Sequence, residues 1–126
     1  MRAAGRNGPR TLPTSQSVPN PMENDGRMAA FLVFTYDVTD NDRLLRYREA
    51  ATQSLLGPGG GELVASTSKT VHLAEATSEG THTVILRFQD AEHAHRVYTS
   101  EGYRAILNER LAATTPRIAM IVPEVQ

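Results

Sequence analysis

The chain has 126 residues, 40% of them apolar, a net charge of −1 at neutral pH and no cysteine. Such a length suits one domain with a modest core. The composition excludes a disulfide framework, a thiolate nucleophile and a cysteine metal site, no apolar run approaches the roughly 20 residues of a membrane span, and the charge argues against nucleic acid or anionic lipid as partner.

Residues 1–27 stand apart. They hold four of the seven prolines (Pro9, Pro13, Pro19 and Pro21) and show no helical or alternating apolar pattern. Such a segment cannot bury enough apolar surface to offset its chain entropy, which predicts a flexible N-terminal extension. The alternative is an arm that packs on a partner subunit. The segment has no continuous apolar stretch of the secretory type, which together with the missing cysteines suggests the cytoplasm. The folded domain is expected over 28–126. There, nine basic residues face twelve acidic ones, which again speaks against nucleic acid. Twelve arginines against the single Lys69 read as a coding bias.

Met28 to Val38 is apolar and aromatic on both faces and predicts a central strand. Asp40 is placed to cap a helix, with Asp42 in its first turn. Leu44, Tyr47, Ala51 and Leu55 then recur at helical spacing. The helix stops at the breaker cluster Gly57-Pro58-Gly59-Gly60-Gly61. That cluster is no phosphate loop, because it follows a helix and lacks the Gly-Lys-Ser/Thr ending.

Glu62–Thr67 and Thr70–Ala76 read as two strand pieces with an irregularity at Ser68-Lys69. Thr77–Gly80 is a turn and Thr83–Phe88 a strand. If the turn closes a hairpin, His72 lies near Ile85 and Glu75 near His82. Asp90 caps a short helix with Ala91, Ala94, Val97 and Tyr98 inward. Ser100 caps the next, with Tyr103, Ile106, Leu107, Arg110 and Leu111 on one face, and Pro116 ends it. Ile118–Val122 is the last strand. The resulting β-α-β-β-α-β order, its second helix broken in two, gives an α+β fold: a four-stranded antiparallel sheet of ferredoxin-like type with helices on one face. The bare face would be a large apolar patch, which predicts a homodimer through the sheet face.

Four stretches carry a family resemblance: the opening strand into Tyr36–Asp40, the first helix with Arg46–Arg48 and its Gly-rich end, Val84–Phe88, and Ala91 through Tyr98–Tyr103 to Arg110. With them the chain resembles the DUF1330 family of the dimeric α+β barrel superfamily over about residues 28–123. It departs from the family pattern in the Thr77–Gly80 turn, which lacks an aromatic, in Arg87 of the third strand, and in Gly102. The superfamily includes cofactor-free monooxygenases, isomerases and cyclases, haem-degrading enzymes and stress-response proteins, so the resemblance implies a fold more than a reaction.

The resemblance implies a ligand cavity between the sheet and its own helices. Candidate catalytic residues are Tyr98, Arg110, His72, His82 and Asp37; candidate substrate-binding residues are Tyr36, Tyr103, Phe34 and Leu107. A tyrosine can present a hydroxyl from a packed ring, an arginine can hold an enolate or carboxylate oxygen, and histidine moves protons near neutral pH. Several also have a structural reading: Tyr98 and Tyr103 as packing residues, Arg110 paired with an acid such as Glu101 or Glu109, and His72 and His82 as surface or packing residues. His93 and His95, two apart on a helix, cannot share a metal, and no ligand spacing for one occurs elsewhere. Neither metal nor cofactor is expected.

Two functions stay open. One is a cofactor-independent enzyme acting by proton transfer (cyclisation, isomerisation or oxygen insertion) on an apolar carbonyl compound, aromatic or polyketide-like. The other is a non-catalytic homodimer that binds a small molecule or a protein partner.

Overall fold

The computed structural model describes residues 28–76 and 80–125. The expectations for residues 1–27, and for most of the Thr77–Gly80 turn, fall outside them.

Seven elements follow one another: β1 (Ala30–Val38), α1 (Asn41–Leu55), β2 (Glu62–Thr67), β3 (His82–Phe88), α2 (Ala91–Tyr98), α3 (Glu101–Ala113) and β4 (Thr114–Pro123). The sheet order is β2-β3-β1-β4, with every neighbour antiparallel. This is the ferredoxin-like α+β arrangement, with the second helix split into α2 and α3.

The caps fall where the short polar residues stand. Asp40 accepts from Arg43 N at 3.0 Å, Asp90 from His93 N at 2.7 Å and Ser100 from Tyr103 N at 3.3 Å. Leu44, Tyr47, Ala51 and Leu55 are the buried stripe of α1. Gly57 (φ 85°) and Gly59 (φ 81°) take the left-handed backbone that turns the chain out of α1.

Alternation along the strands sorts their residues. Leu32, Phe34 and Tyr36 of β1 lie opposite Leu86, Val84 and His82 of β3, and all six face the helices. With Leu44, Tyr47 and Tyr103 the five apolar ones belong to the core, and His82 is a buried polar residue at its end. Phe31, Val33, Ile85, Ile118 and Met120 point to the other side. Gly80 packs against Thr35 at one end of that face, yet Met120 keeps 48% of its surface exposed.

Some sequence expectations are corrected. Thr70–Ala76 is not a strand, because β3 begins only at His82 and offers these residues nothing to pair with. Val71 and Leu73 are instead 81% and 64% exposed. The irregularity in β2 falls at Val64, between Leu63 and Ala65, and not at Ser68-Lys69. Pro116 does not end α3, which stops at Ala113; it lies inside β4, an edge strand where its missing N–H is tolerated. Leu111 turns outward from the helix face assigned to it.

Candidate functional site

A cavity of about 150 Å³ lies between α1 and the sheet. Its walls are Phe34 and Tyr36 of β1, Tyr47 and Leu55 of α1, and Val84 and Leu86 of β3. It opens past the exposed residues Thr52, Leu63 and Ser66. A dry cavity of this size holds about one benzene ring.

At one end Arg48 and Ser66 enter the lining and converge on His82. Arg48 Nη2 is 2.9 Å from His82 Nε2, and Ser66 Oγ is 3.1 Å from the same atom. A guanidinium only donates, so Nε2 is the acceptor and the ring proton sits on Nδ1. Nδ1 lies 2.8 Å from Ser68 Oγ, to which it donates. The Tyr36 ring stacks on the imidazole at 5.4 Å. Burial, and after it the positive charge of Arg48, hold His82 below its ordinary value of 6.5, so the ring is a neutral base near neutral pH.

Behind this cavity the core carries aromatic rings and a second cation. Tyr47 and Tyr103 share a 2.6 Å hydroxyl contact, and burial pushes both phenols up, so both stay protonated. Tyr98 packs between Phe34 (6.1 Å) and Tyr103 (5.3 Å). The Arg110 guanidinium lies 4.0 Å from the centre of the Phe34 ring. Arg110 is only 4% exposed and has no carboxylate partner among the described residues; its Nε makes no hydrogen bond. Glu109 is instead bound by Arg43 at 2.8 Å, which holds its carboxyl low.

The sequence-derived candidates therefore separate into groups. Phe34 and Tyr36 line the cavity, and His82 stands directly behind its polar end. Tyr98, Tyr103, Arg110 and Leu107 belong to the packed layer between the sheet and α2 and α3. Asp37 and His72 border a separate polar hollow of about 360 Å³ at the end of the sheet. There Asp37 accepts from Arg117 Nε at 2.8 Å and Thr81 N at 3.0 Å, and the Arg117 bond holds its carboxyl below the ordinary 3.8. His72 Nε2 is 2.8 Å from the Gly80 carbonyl. Among the described residues no group of three or more His, Cys, Asp or Glu gathers as a metal site.

Arg48, Ser66 and Tyr47 were not among the site candidates read from the sequence, although Tyr47 was placed on the inner face of its helix. A signal for Arg48 existed, since it follows Leu44 by one helical turn and so flanks the buried stripe. Alternation likewise puts Ser66 opposite Val84, on the inner face.

No described helix is long and apolar enough to cross a membrane. None of the curated proteins matches the chain. Among solved structures it is similar to the crystal structure of RPA0582, a protein of unknown function from Rhodopseudomonas palustris solved as a structural genomics target. The identity is 13% and the TM-score 0.60, over 82% of this chain and 87% of that one, so the likeness concerns the fold alone. The family model of DUF1330, a domain of unknown function, matches residues 29–125. With nearly all of the folded region inside that match, the chain belongs to the DUF1330 family.

Proposed function

We propose that the protein is a small cofactor-independent enzyme that moves a proton on a compact, apolar, carbonyl-bearing molecule held between α1 and the sheet. The observation that carries this reading is the neutral His82 ring, with Arg48 and Ser66 on its Nε2 at the cavity's polar end. In the structure Arg48 occupies the Nε2 lone pair. A substrate carbonyl drawing the guanidinium to itself would free that lone pair. Nε2 then takes a proton from the carbon next to the carbonyl, the C–H electron pair becomes the enolate double bond, and the carbonyl oxygen takes the charge opposite Arg48. Return of the same proton to another atom of the enolate completes an isomerisation with no co-reactant. The cavity admits one aromatic ring or a short chain and is too small to enclose a fused polyketide.

The same reading includes a homodimer through the open sheet face. Its support is the half-exposed apolar row from Phe31 to Met120, together with Arg87 among it, whose Nε is buried without a hydrogen bond among the described residues.

The test is deuterium exchange at the methyl group of acetophenone in heavy water, followed by NMR. The chain should accelerate exchange, and His82→Gln should lose about 100-fold or more of the acceleration with its fold intact. No acceleration, or an undiminished rate in His82→Gln, would refute the base assignment and leave a ligand-binding dimer as the better reading.

A further inference from the structure

The cavity's electrostatics are at odds with those of the chain around it. The folded region carries more acids than bases. Yet among the described residues no Asp or Glu lines the cavity, whereas Arg48 does. Arg110 adds a second positive charge behind the Phe34 wall, 4.0 Å from the ring centre, and its field reaches the Tyr47 and Tyr103 hydroxyls. Neither arginine has a carboxylate partner among the described residues. Arg110 is buried and Arg48 half-buried; a cation drawn from water without a counter-charge is costly to keep, and a bound anion offsets that cost. We infer that the cavity selects a small organic anion: an apolar monocarboxylate whose ring or short chain lies against Phe34, Tyr47 and Leu86 and whose carboxylate meets Arg48 at the open end.

This rests on the cavity being the binding site, as proposed above, and goes further by naming the charge of the ligand: the oxygen that Arg48 holds is that of a carboxylate and not of a neutral ketone. Both parts fit the dimensions. One ring fills the enclosed volume, and a guanidinium fork matches a carboxylate with two parallel hydrogen bonds. Ser66 supplies a hydroxyl at the same end. Arg110, separated from the ligand by the Phe34 ring, acts as a positioning residue through its field.

The experiment is calorimetric titration of the full chain with benzoate and with benzamide, which share shape and differ in charge. Benzoate should bind roughly tenfold more tightly or better, the difference expected for a charge-assisted pair in a partly buried site. Arg48→Met should bring the two probes to within about twofold of each other. Arg110→Met should narrow the gap without abolishing it; should that variant not fold, Arg48→Met alone decides. Equal binding of the two probes by the native chain, binding of neither, or an undiminished preference in Arg48→Met would each overturn the inference. Benzoate selectivity without acetophenone exchange would keep the anion site and remove the base; exchange without selectivity would do the reverse.

Discussion

The hydroxyls of Tyr47 and Tyr103 lie 2.6 Å apart in the core and tie α1 to α3. Tyr103 is fully buried and Tyr47 nearly so, which keeps the contact largely away from water. Tyr47→Phe or Tyr103→Phe alone would leave a buried hydroxyl unsatisfied and should cost about 1–3 kcal/mol. The double variant should lose clearly less than the sum, because both polar groups then leave together. Urea unfolding of the four proteins measures the coupling; strictly additive losses would show that the contact contributes nothing.

The His82 environment predicts a pH dependence of stability. Its folded pKa lies below 6.5, so the unfolded chain binds the proton more readily. Stability from this group is complete above the unfolded value and is lost as pH falls through the window below it. Melting temperature should therefore rise between about pH 5 and pH 7, and the rise should be smaller in His82→Gln. Asp37 and Glu109, both held low by arginines, act in a separate and more acidic window below their ordinary values of 3.8 and 4.5. A profile unchanged by His82→Gln would show that burial of the ring is not what couples folding to protons.

Gly61 is a test of packing under the turn after α1. A Cβ there would stand 2.7 Å from Phe88 Cζ and 2.9 Å from the Arg87 carbonyl oxygen. Phe88 is fully buried and cannot swing away. Gly61→Ala should therefore destabilise by about 1–3 kcal/mol, read from chemical denaturation. Gly59→Ala meets no atom but takes on a φ of 81°, so any loss there is backbone strain and not a clash.

The proposed dimer has its own test. Sedimentation of the native chain should give a dimer, and Met120→Glu should give a folded monomer at the same concentration, because the new carboxylate would be buried in the contact. A native monomer would contradict the face-to-face pairing, whatever the cavity does.

The fold was legible where local chemistry decides it. Asp40, Asp90 and Ser100 announce their helices, and Leu44, Tyr47, Ala51 and Leu55 announce the face of α1. What failed, failed at pairing. Thr70–Ala76 has the composition of a strand, but a strand needs a neighbour and β3 starts too late to supply one. Pro116 reads as a helix stop, whereas the helix had already ended at Ala113 and the proline sits on a sheet edge. The site was legible only in part. His82 falls on the inner face by simple alternation with Val84, Leu86 and Phe88. Its contact with Arg48, 34 residues away, depends on how α1 is rotated over the sheet, and no local spacing reports that.

Both outer strands of the sheet are interrupted. On β2 the pairing slips at Val64, and β4 carries Pro116 beside the register shift opposite Thr35 and Tyr36. An unbroken edge is a template on which another chain can add strand after strand. Among the described residues each edge is broken once, by a register slip or beside a proline, which disfavours lateral growth into fibres even though the described helices leave the broad apolar face uncovered. In the proposed dimer, contact between copies goes instead to that face, where a two-fold pair closes on itself and stops.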